Sequence, residues 1–323
     1  MATEQQHLVT GAAGFIGSHL VDRLLGLGHR VLGIDDLSLG RRDNLSEALA
    51  STRFELLELD LNQPGALKSC LEDQRKNGPI QTVWHLAANS DIPAGVRNPE
   101  VDLTRTFLTT YHTLGAMEAL GIPEIVFAST SAIYGELPGE LTENSGPLHP
   151  ISNYGAMKLA SEGILTAALE RFLKRAWIFR FPNVVGPRAT HGAIYDFLKK
   201  LRRNPAELEV LGDGSQEKPY LHVSELVDAM VHLYQHCGDR LNVFNIAPEK
   251  TATTVRFMAE ATVRAAAPGA RIHYTGGNKG WVGDVSKFSY SIAKLKSAGW
   301  HPKLTSNEAV ERAIRENLAL LKA

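Results

Sequence analysis

Short apolar runs alternate with helical stretches through the first half of the chain. Leu8–Thr10, Arg30–Ile34, Phe54–Leu57, Thr82–Leu86, Ile125–Ser129 and Ala176–Phe181 are apolar, short and bounded by turn residues, the pattern of strands. Their near-continuous apolarity suits a sheet covered on both faces. Gly17–Leu27, with Leu20, Leu24 and Leu27 on one side, reads as the first helix. Parallel strands joined through helices cross over right-handedly, so the pattern predicts an α/β, Rossmann-like, doubly wound parallel sheet.

From about Asn183 the pattern changes. Loop residues dominate Pro182–Ala193 and Leu211–Pro219, between single helices at Tyr195–Arg203 and Ser224–Cys237. A run at Leu241–Ile246 is apolar enough to return to the main sheet. The expectation is a dinucleotide-binding domain over residues 1–182 and a smaller, interleaved substrate-binding lobe over 183–323. No internal repeat interrupts either part.

The turn after the first strand carries the first chemistry. Glycines at 11, 14 and 17 allow a tight turn, close approach of the backbone to a pyrophosphate and close helix–strand packing, with Phe15 and Ile16 opening the helix. The helix N-terminus then offers free N–H groups to an anion. Asp35 closes the second strand, where a carboxylate accepts hydrogen bonds from an adenosine ribose and repels a 2′-phosphate; Asp36 stands beside it. This favours NAD, although Arg41 and Arg42 are near enough in sequence to serve a phosphate and keep NADP open. Asp60-Leu61, after the third strand, can meet the adenine, or Asp60 can simply cap a helix.

Composition narrows the surroundings. The 323 residues are 44% hydrophobic and 21% charged with a net charge of −1, the balance of a soluble globular protein with little call for nucleic acid. Lys199-Lys200 and Arg202-Arg203 read as the solvated face of a surface helix. Two distant cysteines, Cys70 and Cys237, exclude a disulfide scaffold and a CxxC zinc site, and no metal is expected. No apolar run approaches the roughly 18 residues of a membrane span, and polar Met1–Gln6 offers no signal peptide. A cytoplasmic location is expected.

Tyr154 and Lys158 are four residues apart and share one helix face. There the ammonium can stabilise a phenolate, lowering a pKa of about 10 toward the range of a useful base. Thr130 lies just past the fifth strand, at the sheet edge where ligands bind.

Taken together, Gly11–Gly17, His85-Leu86-Ala87-Ala88, Ser129–Gly135, Tyr154–Lys158 and Arg180–Pro187 resemble the extended short-chain dehydrogenases, and among them the sugar-nucleotide 4-epimerases of the UDP-galactose type. The resemblance runs from about Leu8 to Leu320. It implies that Tyr154 removes a sugar hydroxyl proton, that Thr130 hydrogen-bonds the same hydroxyl, and that Lys158 holds Tyr154 and the nicotinamide ribose. It places Ala87 and Ala88 along the cofactor and Asn183 against the sugar nucleotide. It also implies a homodimer through helices at Thr104–Leu120 and Tyr154–Lys174.

Related dehydratases and decarboxylases carry carboxylates near the position after Thr130. This chain has Ser131-Ala132, and an alanine moves no protons, so epimerisation through a transient keto sugar is preferred. A dehydratase, a decarboxylase or a non-catalytic NAD-binding sensor remain the alternatives. Lys218-Pro219-Tyr220 replaces the family's Arg-Asp-aromatic, Trp281 stands where an arginine is common, and Thr106 replaces a frequent Asn. Lys218, helped by Lys279 or Arg188, is the expected charge on the substrate phosphates, and the base stays open among UDP, ADP, GDP and CDP.

Overall fold

The computed structural model describes residues 4–74, 78–277 and 288–321. Seven parallel strands form its centre: β1 (Gln6–Thr10), β2 (Arg30–Asp35), β3 (Phe54–Glu58), β4 (Ile80–His85), β5 (Glu124–Thr130), β6 (Arg175–Phe181) and β7 (Leu241–Asn245). Their order is β7-β6-β5-β4-β1-β2-β3, so the strand order reverses between β1 and β4 and opens a crevice at the carboxyl ends. Every side chain of β5 is buried: apolar Ile125–Ala128 forms its centre, and the polar Glu124, Ser129 and Thr130 at its ends are hydrogen-bonded.

Helices α1 (Phe15–Gly26) and α6 (Val223–His236) cover one face, burying Leu20, Leu24, Leu226 and Met230 around Trp84 and Trp177. The other face is covered by α2 (Ala66–Gln74), α3 (Thr109–Leu120) and α4 (Asn153–Arg171) around Val83, Phe127 and Ile178.

The chain leaves the sheet at the carboxyl end of β6 and builds a lobe with its own core. There α5 (Ala193–Arg203), α7 (Val255–Ala266) and α8 (Ser306–Leu320) enclose Phe197, Leu208, Met258 and Val310. Of the basic residues of α5, Lys199, Arg202 and Arg203 are exposed and Lys200 is half-buried, while its buried side is Ile194, Phe197, Leu198 and Leu201. Midway through this excursion α6 and β7 go back to the sheet, where Val243 lies beside Ile178.

Two helices differ from the sequence expectation. The stretch expected to run unbroken over Thr104–Leu120 starts as a π-helix at Leu103–Leu108 and becomes α3 at Thr109. Its threonine hydroxyls bond carbonyls one turn back, as in Thr110 to Thr106 O at 3.0 Å and Thr113 to Thr109 O at 2.7 Å. Such bonds compete with the regular ladder and loosen it. The second helix ends at Arg171 rather than Lys174, whose N–H bonds Pro123 O and starts the approach to β6.

Candidate active site

The glycine loop is shaped by close contacts. Gly11 has φ +70°, and a Cβ there would sit 2.9 Å from the backbone nitrogen of Ala87. A Cβ on Gly17 would run into the carbonyl oxygen of Gly11, so α1 lies against the turn only with glycine at that position. Gly14 caps α1 without a side chain, and the N–H groups of Phe15 and Ile16 begin the helix at the crevice. Such a cradle fits the pyrophosphate of a dinucleotide.

Asp35 is buried at the end of β2. Its carboxylate accepts hydrogen bonds from Ala13 N and Leu37 N, both at 2.9 Å. Burial raises its pKa, and those two backbone bonds oppose the rise. Asp36 is exposed and turns to its own loop, accepting from Ser38 N at 3.0 Å and Ser38 Oγ at 2.7 Å. Asp60 likewise accepts from Asn62 N at 2.8 Å, and Leu61 is buried in the core. Ala87 and Ala88 follow β4 and are half-buried, and Ala87 N donates to Thr10 Oγ1. Arg41 and Arg42 are exposed.

Beside this cradle, Thr130 ends β5 and caps the turn Ser131–Tyr134 by accepting from Ala132 N at 3.2 Å. Ser152 caps α4 through Gly155 N at 3.1 Å and so delivers Tyr154 to the crevice on the first turn. Tyr154 lies beside Thr130. Burial, and after it the charge of Asp102, push the phenol far above its ordinary pKa, while Thr130 opposes them. Lys158 is 2% exposed; its Nζ donates to Ala128 O at 2.6 Å and lies 5.8 Å from the Tyr154 ring centre. Burial lowers the lysine pKa to about 7, with Glu162 opposing.

A buried ion pair lies beneath. Arg180 grips Glu162 with two bonds, at 3.1 and 2.7 Å, and donates to Tyr134 Oη at 3.1 Å and Glu143 O at 3.0 Å. Tyr134 donates in turn to Asn245 Oδ1 at 2.8 Å. The network joins β6, β7, α4 and the turn after Thr130 into one support.

A family model described as the NAD dependent epimerase/dehydratase family matches residues 7–247. The chain belongs to that family. The UDP-glucose 4-epimerase of Mycolicibacterium smegmatis is 30% identical over 95% of this chain and 96% of its own length. A crystal structure of a UDP-galactose 4-epimerase superposes with a TM-score of 0.84 at 34% identity, covering 98% of this chain and 99% of that one. The UDP-glucose 4-epimerase of Thermotoga maritima, solved with UDP-glucose, gives 0.85 at 29% identity over 98% and 100%.

In this member of the epimerase/dehydratase family, the residues expected to meet substrate are spread along the junction of sheet and lobe. Ser131 is half-buried beside Thr130. Asn183 is exposed and lies opposite Tyr220 in a parallel pairing of Asn183–Val185 with Tyr220–His222. Lys218 is 8% exposed, on a two-residue strand opposite Thr253. Arg188 goes elsewhere: its Nη1 pairs with Asp22 Oδ2 at 2.6 Å, on the flank of α1, and a phosphate would have to break that pair. Lys279 and Trp281 lie outside the described residues. Thr106 is buried, and its Oγ1 accepts from Asn89 N at 3.2 Å.

Two residues near the site escaped sequence reasoning. Asn89 and Asp102 are buried and joined by a 2.8 Å hydrogen bond. Neither belongs to a spacing that marks chemistry; a buried carboxylate behind the base is visible only in three dimensions. Among the described residues, no group of three or more His, Cys, Asp or Glu could hold a metal ion.

Proposed function

We propose that the protein epimerises a nucleotide-diphosphate sugar at its 4-position, using NAD and passing through a transient keto sugar. The observation that carries this reading is Tyr154 beside Thr130 and one helical turn from buried Lys158, with Ser131-Ala132 following Thr130 and neither of them an acid. Bound NAD supplies the hydride acceptor that later returns the hydride. Tyr154 takes the proton of the sugar hydroxyl and gives it back, Thr130 orients that hydroxyl, and Lys158 supports the phenolate. Gly11, Gly14 and Gly17 hold the pyrophosphate, with Phe15 and Ile16 at the helix start, and Asp35 holds the adenosine ribose. Ala87 and Ala88 flank the cofactor. Asn183, Lys218 and Tyr220 face the sugar nucleotide.

The relatives named above act on UDP-linked sugars, so a UDP-sugar is the first substrate to try. Incubation with a panel of nucleotide sugars, followed by mass spectrometry and chromatographic separation of isomers, tests the reaction. The expected product is an isomer of unchanged mass. A product lighter by water or carbon dioxide would replace this reading with a dehydratase or a decarboxylase.

We also propose a homodimer through α3 and α4. The two helices lie side by side, linked by Arg171 and Glu118, and Tyr111 on α3 is 59% exposed. Sedimentation at micromolar concentration is expected to show twice the chain mass, and a monomer there rejects the pairing. Among the described residues no helix is long and apolar enough to cross a membrane. Cys70 and Cys237 form no disulfide, which suits a reducing cytoplasm.

A further inference from the structure

Residues 186–192 run from the strand Asn183–Val185 to α5, and the segment begins tightly seated. A Cβ on Gly186 would overlap Val223 of α6 and come within 3.4 Å of the ring of Phe15, the first residue of α1. Gly186 O accepts from Asn317 Nδ2 of α8 at 2.9 Å, and Pro187 O accepts from His19 Nε2 of α1 at 3.2 Å. Arg188 pairs with Asp22, one turn farther along α1.

The far end of the segment stands across the crevice. His191 Nε2 and Ser90 Oγ share a hydrogen bond at 2.8 Å, although they are 101 positions apart. Ser90 lies in the loop after β4, just beyond Ala87 and Ala88, and that loop leads into the short helix Ile92–Arg97, which packs on α4. Strands β1 and β4 are the neighbours between which the strand order reverses. One anchor is therefore on the helix after β1 and the other on the loop after β4. Between them is the switch point, where an open α/β sheet takes its ligand.

The two fastenings differ in strength. At the α1 end the bonds of Asn317, His19 and Arg188 are all partly buried; at the other end a single bond joins two exposed side chains. The backbone is shaped for movement as well. Arg188 has φ +68°, a conformation that a non-glycine residue keeps only where its surroundings hold it, and such residues gather at ligand clamps. Gly192, at the far end, takes φ +99° without strain and can absorb a rotation.

We propose that residues 186–192 are a strap across bound NAD, anchored on α1 and latched by His191 on Ser90, whose unlatching sets the rate at which the cofactor enters and leaves. The inference rests on NAD occupying the crevice. Epimerisation returns the hydride to the sugar and consumes no cofactor, so a latch that slows exchange costs the reaction nothing. The latch is formed in the protein without ligand. Breaking it therefore lowers the barrier from both sides and leaves the equilibrium between free and bound NAD where it was.

Exchange of radiolabelled NAD into the holoenzyme measures the exit rate, and equilibrium dialysis measures Kd. Both side chains are exposed, so Ser90→Ala and His191→Ala cost no core packing. Each is expected to exchange NAD about two- to tenfold faster, the worth of one hydrogen bond, with Kd unchanged. The double variant should be no faster than either single one, since both remove the same bond. Unchanged exchange in a single variant overturns the latch, and so do effects that multiply in the double variant. Faster exchange with Kd raised in proportion makes the two residues ordinary contacts of the cofactor and overturns it too. Failure of the unaltered protein to bind NAD would instead remove the reading of the crevice itself.

Discussion

At Tyr154 and Lys158, one helical turn apart, burial acts in opposite senses. It makes the phenol reluctant to lose its proton and the lysine ready to lose its own, at a pKa of about 7. Burial therefore favours the neutral phenol and weakens the hold of Lys158 on its proton, and a phenolate needs a positive field in the crevice. Tyr154→Phe keeps the ring that packs and removes the oxygen that ionises. Turnover should fall by about 10²–10⁴-fold, while circular dichroism and NAD binding stay near wild type. Retention of most of kcat would assign the base elsewhere. Asp35 sets a second expectation at this scale. Both of its oxygens are fixed by backbone N–H groups, so it cannot swing away from a 2′-phosphate. NAD should bind at least about tenfold more tightly than NADP, a modest value for a like-charge contact in a partly buried site. Equal dissociation constants would take Asp35 out of the ribose site. Arg41 and Arg42, exposed, leave NADP some purchase, which is why the ratio and not an absolute exclusion is the measurement.

At the scale of elements, the strands were legible because their burial is one-dimensional information. A sheet covered on both faces needs apolar runs, and β5 supplies Ile125–Ala128 at the centre of a strand buried at every position. The glycine loop was legible for a related reason, since a phosphate-binding turn restricts composition at fixed spacing. The π-helix at Leu103–Leu108 was hidden, because threonines fit either helix type in a pattern of polarity. The ion pair of Arg180 with Glu162 was hidden as well: 18 positions apart, its partners meet only once α4 packs on β6. Asp102 and the Asp22 partner of Arg188 belong to the same class, contacts set by tertiary packing and not by local spacing. Glu162→Leu tests that support. It strands the guanidinium of Arg180, with a side chain 9% exposed, so about 3–5 kcal/mol of stability should be lost. Replacing both partners by leucine and methionine should cost less than the single change. Denaturant unfolding of the two variants measures the difference, and equal losses would mean that the pair carries no special charge burial.

At the scale of the whole molecule, acid should be the weak side. His7 and His85 are fully buried, on the first and fourth strands, and burial holds both near a pKa of 3. Unfolded, each takes a proton below about 6.5. Their depressed folded values therefore leave stability intact above that pH and erode it as pH falls from 6.5 toward 3. The slope is about 1.4 kcal/mol per unit for each histidine. Urea midpoints at pH 7 and pH 5 should differ accordingly, and His7→Phe should flatten the fall by about one proton's share. A midpoint that does not move between those two values contradicts the burial of these rings as neutral groups.

The return of β7 to the sheet has a consequence for how the chain is made. During synthesis β6 emerges some sixty residues before Leu241–Asn245, its neighbour in the finished sheet. Until then Arg175–Phe181 is an open, apolar edge carrying Ala176, Trp177, Ile178 and Phe179, the kind of edge that recruits other strands. A polypeptide stopped near residue 182 would thus be a sticky fragment and not a small stable protein. The nascent chain must keep that edge guarded while the first half of the lobe is still being translated. The sheet gains its last strand only once Asn245 has been made, so vectorial folding of the amino-terminal half alone has no native endpoint.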